Sequence, residues 1–223
     1  QGAEAIGLPR DFKPDKTQNY EIGVKGSLGH TFSFDGSVYY IDWKGIQILV
    51  NSDALAYYIN GGQARSQGVE LSVEAAPARG LRVGGWLSWN DAALTQDMPS
   101  DSAVAGAAGD RLPFSSRLSG NVFVDYEFPV GAFTASLGAT ASRVDGRRGN
   151  FLPAGSRRTL YPAYTTADLR AGMRRNEWSA NLYINNAMDQ RGLIGGGEGT
   201  SYPTSFGLIQ PRTVAVSVAR SFP

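Results

Sequence analysis

Two arginine pairs, Arg147-Arg148 and Arg157-Arg158, are the residues of this chain best suited to chemistry. A guanidinium offers a planar fork of donors that matches carboxylates, catecholates and phosphates. Both pairs fall in one polar stretch without strand periodicity, about 144–163, so they read as loop residues that contact a ligand or are simply solvated. Other groupings that could suggest catalysis are weaker. The single histidine, His30, sits in a Gly29-His30 turn, and one histidine with no cysteine leaves no transition-metal cluster. Asp97 and Asp101 are close in sequence, but their stretch is rich in Ser, Gly and Ala and lacks the rigid support that acid–base work needs. The run Gly195-Gly196-Gly197 is not followed by Lys-Ser/Thr and does not join a strand to a helix, so it is not a phosphate loop. Neither an enzyme nor a cofactor site is expected.

The elements that must position these arginines are strands. The 223 residues include 28 Gly, 11% aromatics and 42% hydrophobics, a mix that favours strands and turns over helices. Net charge is +1, which gives no bulk pull toward nucleic acid. No apolar run is long enough for a membrane-spanning helix, but barrel strands cross with about 9–11 alternating residues and escape that criterion. The opening Gln1-Gly2-Ala3-Glu4-Ala5 has neither the basic start nor the apolar core of a signal peptide, and it reads as the interior of a longer protein.

Period-two alternation marks nine strands, each roughly 9–14 residues against about five or six in soluble sheets. The last is typical. Val214, Val216, Val218 and Phe222 share one face, Thr213, Ala215, Ser217, Ala219 and Ser221 share the other, and only Arg220 breaks the apolar row. Strand two starts near Thr31 and is expected to continue through Ile46, Ile48 and Val50. Connections alternate between short turns and long polar loops, the latter near 51–57, 92–113, 144–163 and 186–209. Residues 1–16 read as an extracellular loop and 17–223 as barrel. The predicted fold is all-β, an antiparallel up-and-down transmembrane barrel segment. A β-sandwich would alternate inside and outside, but would not need strands this long. An odd strand count leaves open edges in lipid, so the chain is expected to supply the C-terminal part of a larger barrel.

On this reading the apolar-parity aromatics Tyr40, Trp89, Tyr126, Phe128 and Trp178 form interfacial girdles. Tyr39, Trp43, Trp86, Phe123 and Tyr183 fall on the other parity and face the lumen, with Trp43, Trp86 and Tyr183 the candidates to meet a plug or a ligand. Glu70, Glu74, Arg82, Arg117, Asp125, Asp168 and Arg170 are the lumen charges, expected to pair with one another or with a plug.

Several stretches resemble TonB-dependent outer-membrane receptors. They are Lys13-Pro14-Asp15-Lys16-Thr17 leading to Tyr20-Glu21-Ile22-Gly23-Val24-Lys25-Gly26, then Asn60-Gly61-Gly62-Gln63-Ala64-Arg65-Ser66-Gln67-Gly68-Val69-Glu70. Gly109-Asp110-Arg111-Leu112-Pro113 follows, then Tyr164 with Asp168-Leu169-Arg170, Trp178 leading to Asn185-Asn186, and Gln210-Pro211-Arg212-Thr213. Two departures stand out: Ala187-Met188 precedes Asp189 where the family commonly has a Leu-Phe or Leu-Thr type pair, and Pro223 follows the terminal aromatic Phe222.

The resemblance implies a 22-stranded barrel plugged by an N-terminal domain absent from this chain. It implies an outer-membrane location, TonB acting through that plug, and a scarce ligand, most readily a ferric siderophore. Val214, Val216, Val218 and Phe222 would then also carry the signal read by the barrel assembly machinery. Membrane lipid and lipopolysaccharide would be the remaining partners, with lipopolysaccharide an alternative contact for the loop arginines. Cobalamin or saccharide uptake, or a passive porin, are the alternatives.

Overall fold

A computed structural model describes residues 12–29, 31–51, 56–100, 102–197 and 205–222. His30, Asp101 and Pro223 lie outside the described residues, as do most of 1–16 and the tips of two loops. In chain order the strands are β1 (Lys16–Leu28), β2 (Phe32–Lys44), β3 (Gln47–Asn51), β4 (Ala56–Asn60), β5 (Gln63–Ala78), β6 (Leu81–Leu94), β7 (Leu118–Val130) and β8 (Phe133–Val144). They continue as β9 (Arg147–Arg148), β10 (Leu160–Tyr161), β11 (Tyr164–Arg175), β12 (Trp178–Asn185), β13 (Leu193–Gly196), β14 (Phe206–Leu208) and β15 (Thr213–Arg220). Nine of them form one antiparallel meander in the order β1-β2-β5-β6-β7-β8-β11-β12-β15. The other six make three small hairpins, each within a long loop.

The tight turns sit at one end of the sheet, where Gly29, Gly80 and Gly131 take positive φ. All long connections, and every buried apolar side chain among the described residues, lie at the other end. Strand two does not run through Ile46, Ile48 and Val50 as its alternation suggests. Gly45 at φ 63° ends β2 at Lys44, and Gln47–Asn51 turns away to pair with Ala56–Asn60. Apolar alternation recorded a second, shorter ladder, and the left-handed glycine is the break between the two.

Register makes the two faces continuous. Leu28 pairs with Phe32, Phe32 with Ala75, Ala75 with Val83, and Val83 with Val124. The row goes on through Ala139, Leu169 and Ile184 to Val214. It starts at the short-turn end of β1 and finishes at the long-loop end of β15, so the strands are tilted, as a barrel wall requires. The opposite face of the same strands carries Lys25, Asp35, Ser72, Trp86, Asn121, Ser142 and Thr166 in one register row.

Among the described residues no second layer covers the apolar face: Ile22 is 73% exposed and Val216 72%. Transfer of each such side chain out of water is worth about 1.5–3 kcal/mol. A contiguous apolar wall of this extent is what hydrocarbon, and not water, covers.

Candidate functional site

The packed part of the molecule is a crown at the long-loop end. Its centre is Ile46, Ile48, Ala64, Leu94, Met98, Val104 and Phe151, with Trp43, Tyr57, Ile59 and Leu112 packed around it. These residues come from three loops and the strand ends that launch them. The stretch after β6, which reads as flexible from composition, is folded back on itself. The Leu94 N–H donates to the Asp110 carbonyl and the Gly109 N–H to the Leu94 carbonyl, both at 2.9 Å, and the Met98 N–H reaches the Gly106 carbonyl at 2.8 Å. Asp97 accepts the Ala108 N–H at 2.8 Å and so serves as a loop staple.

The four loop arginines divide into two kinds. Arg158 is turned inward. Its Nε and Nη2 donate to the Gly149 carbonyl at 3.0 and 2.6 Å, its Nη1 donates to the Arg111 carbonyl at 2.8 Å, and the guanidinium stacks on Phe151 at 4.2 Å. Arg147 is half-buried on β9; it donates through Nη2 to the Leu193 carbonyl at 2.7 Å and lies 5.9 Å from the Tyr161 ring centre. Its Nε is buried without an acceptor. Arg148, paired with Leu160, and Arg157, beside the Pro153–Ser156 turn, are exposed.

Arg111 is a further crown cation that spacing alone did not single out. It donates to the Ser115 carbonyl at 2.9 Å, and its Nε too is buried without an acceptor. Burial first, then the neighbouring Arg117, pulls its guanidinium below its usual pKa. The crown therefore presents a basic mouth whose inner arginines brace the loops and whose outer ones face outward.

The stretches that carry the family resemblance also gather at this end, as clamps. Asn60 donates to the Lys13 and Gly45 carbonyls at 2.9 Å and accepts the Lys13 N–H at 2.6 Å, while the Trp43 indole N–H donates to Asp15 at 2.7 Å. Asp168 accepts the Asn186 N–H at 2.7 Å. The buried Asn186 side chain donates to the Gln190 and Gln210 carbonyls and accepts the Gln190 N–H, all at 2.9 Å. Asp189 accepts the Arg212 N–H at 2.9 Å and an Arg191 side-chain donor at 3.0 Å.

On the polar face, Trp86 stands between Ser72 and Asn121. Tyr183 lies opposite Arg170 and lines a concave groove of about 520 Å³ near the short turns, with Arg82, Asp125, Glu127 and Asn181. Tyr39 lies over Gly68 and Phe123 over Gly84. Glu74 pairs with Arg82 at 2.7 Å and Asp125 with Arg170 at 2.5 Å. Arg117, just before β7, accepts the Asn90 N–H at its carbonyl at 2.9 Å, which extends the β6–β7 register by one step, and its guanidinium reaches Asp91 at 3.7 Å. Val214, Val216, Val218 and Phe222 are exposed on the apolar face.

Comparisons with known proteins fit this geometry. The family described as TonB dependent receptor-like, beta-barrel matches residues 1–187. The metal-pseudopaline receptor CntO of Pseudomonas aeruginosa is 30% identical over 187 residues, covering 81% of this chain and 24% of CntO. The ferrichrome outer membrane transporter/phage receptor of Escherichia coli K12 is 26% identical over 185 residues, 80% of this chain and 23% of that protein. Among solved structures, the ferric yersiniabactin uptake receptor FyuA from Yersinia pestis superposes with a TM-score of 0.77 at 19% identity, over 95% of this chain and 30% of that one. This chain thus spans about a quarter of the length of the curated relatives it matches. Its alternating strands, the order of its loop clamps and the family match lead to one conclusion: the chain belongs to the TonB-dependent receptor β-barrel family, and its strands are outer-membrane barrel wall.

Proposed function

We propose that this chain is the wall and part of the mouth of a receptor that takes up a metal chelate, most readily a ferric siderophore, across the outer membrane. The observation that carries this reading is membership of the receptor family over residues 1–187. The relatives named as receptors for pseudopaline-bound metal and for ferrichrome support a chelate as the class of solute. TonB would act through the plug domain of the whole receptor, and further strands would satisfy the edges that β1 and β15 present. Lipopolysaccharide around the mouth and the assembly machinery reading Val214, Val216, Val218 and Phe222 complete the partners. On this reading the protein is a transport receptor. Trp43 serves the crown, while Trp86 and Tyr183 line the lumen where a plug sits.

Within the mouth, Arg148 and Arg157 offer their donor forks to an anionic chelate, while Arg147 and Arg158 hold the loops that present them. The test uses the full receptor and a panel of iron-loaded catecholate, hydroxamate and carboxylate chelates. Arg148→Ala with Arg157→Ala should weaken binding of one chelate class about tenfold or more with stability unchanged, since each charge-assisted hydrogen bond is worth about 1.5–3 kcal/mol. Arg158→Ala should instead expose residues 145–163 to protease. Unchanged affinity in the double variant removes these arginines from the ligand site. A steady open pore in conductance measurements on the full protein would favour passive diffusion.

A further inference from the structure

Arg220 is the residue that breaks the apolar row of the last strand, and the fold sets it in a pattern. Arg175, at the end of β11, is the register partner of Trp178, and Trp178 is the register partner of Arg220. Phe133 opens β8 one step beyond the Thr134–Arg174 pair, so it flanks Arg175 on the other side. Four neighbouring strands thus present Phe133, Arg175, Trp178 and Arg220 in alternation, on the apolar parity and at the short-turn end. The Arg175 guanidinium lies 5.2 Å from the Phe133 ring centre. That of Arg220 lies 5.5 Å from Trp178 and 5.0 Å from Phe222.

No ion pair joins Arg175 or Arg220 to a carboxylate among the described residues. Stacking occupies the flat face of a guanidinium and leaves its edge donors free. Immediately inward on the same face lie Met173, Ala180 and Val218 in one row, which is surface for acyl chains. Two charges held at the rim of a hydrocarbon band, with free forks and aromatic walls, stand where lipid phosphates lie.

We propose that Arg175 and Arg220, arranged about Trp178, form a binding site for the phosphodiester of a membrane phospholipid in the leaflet at the short-turn end. Adjacent strands are about 4.8 Å apart, so the two arginine backbones stand about 10 Å apart across β12. One phosphate fits over the Trp178 edge between the two forks, with its acyl chains along Val218, Ala180 and Met173. The site rests on the barrel's place in the membrane and is independent of the solute transported.

The test is lipid retention by the full-length receptor, read by native mass spectrometry. Phosphatidylglycerol, phosphatidylethanolamine and diacylglycerol of matched chains are offered in turn. Arg175→Gln with Arg220→Gln should lower retained phosphatidylglycerol about tenfold or more. Arg174→Gln, on the lumen face of the same strand, should leave it unchanged. Equal loss of both phospholipids assigns recognition to the phosphodiester; loss of phosphatidylglycerol alone assigns it to net negative charge. Either outcome supports the site, provided that diacylglycerol is retained no better by the parent than by the variant. Retention by the double variant equal to that of the parent overturns the proposal, as does equal loss in Arg174→Gln. A double variant that assembles poorly while its folded fraction keeps the lipid assigns the arginines to assembly, and also overturns it. Should the double variant not assemble at all, unchanged retention in both single variants has the same force.

Discussion

Arg170 on β11 reaches over the whole width of β8 to Asp125 on β7, Nη2 to Oδ1 at 2.5 Å, and the residue beneath their contact is Gly138. Glycine at that register position is what lets two side chains from non-adjacent strands meet. A Cβ there would sit 2.5 Å from the Asp125 carboxylate oxygen and 2.7 Å from Arg170 Cγ. Gly68 beneath Tyr39 and Gly84 beneath Phe123 repeat the device with an aromatic ring as the covering group.

Gly138→Ala should therefore separate the pair and destabilise the barrel by about 1–3 kcal/mol, the usual cost of overpacking. Thermal unfolding of the full receptor, followed by loss of heat-modifiable gel mobility, reads the change. Gly146→Ala is the control, since its nearest atoms would lie 3.6 Å from the added carbon. Equal melting of the two variants would show that the pair tolerates the methyl group.

The two-faced wall makes a prediction for the four tryptophans. Trp89 and Trp178 share the apolar parity, whereas Trp43 and Trp86 share the lumen parity. In single-tryptophan variants reconstituted with chain-brominated lipid, Trp89 and Trp178 should lose most of their fluorescence and Trp43 and Trp86 little. Quenching of Trp86 to the level of Trp178 would contradict the assignment of faces.

The Asp189 clamp should depend on pH. The Arg212 N–H, with the adjacent Arg191 charge, holds the Asp189 carboxyl below its ordinary pKa. A carboxyl with a depressed folded value stabilises the fold above its unfolded pKa, near 3.9, and that contribution fades as pH falls through the folded value. Protease resistance of residues 186–212 should therefore hold at neutral pH and fall in acid below about 3.9. Asp189→Asn should be equally susceptible at both. Identical acid sensitivity in parent and variant would place the pH effect elsewhere.

Features that depend on period two and on composition are legible in the residues alone. Alternation in β1, β7 and β15 fixes which residues share a face, because successive strand side chains must point to opposite sides. The alternation of short turns and long loops, with the ordered motifs from Lys13 to Thr213, is enough to reach the family. Features that depend on register between segments far apart in the chain emerge only once the chain is folded. Residues 109–113 and 210–213 look alike as loop motifs, yet one folds under Leu94 and the other closes on Asn186 and Asp189. Arg157 and Arg158 are neighbours of the same type, but only Arg158 faces Gly149, Arg111 and Phe151, and loop residues have no alternation to announce it. Within its own strand Arg220 is a single lapse in an apolar row. Pairing with Trp178, which itself pairs with Arg175, makes it part of a row across strands, and a strand's own sequence cannot contain its neighbours.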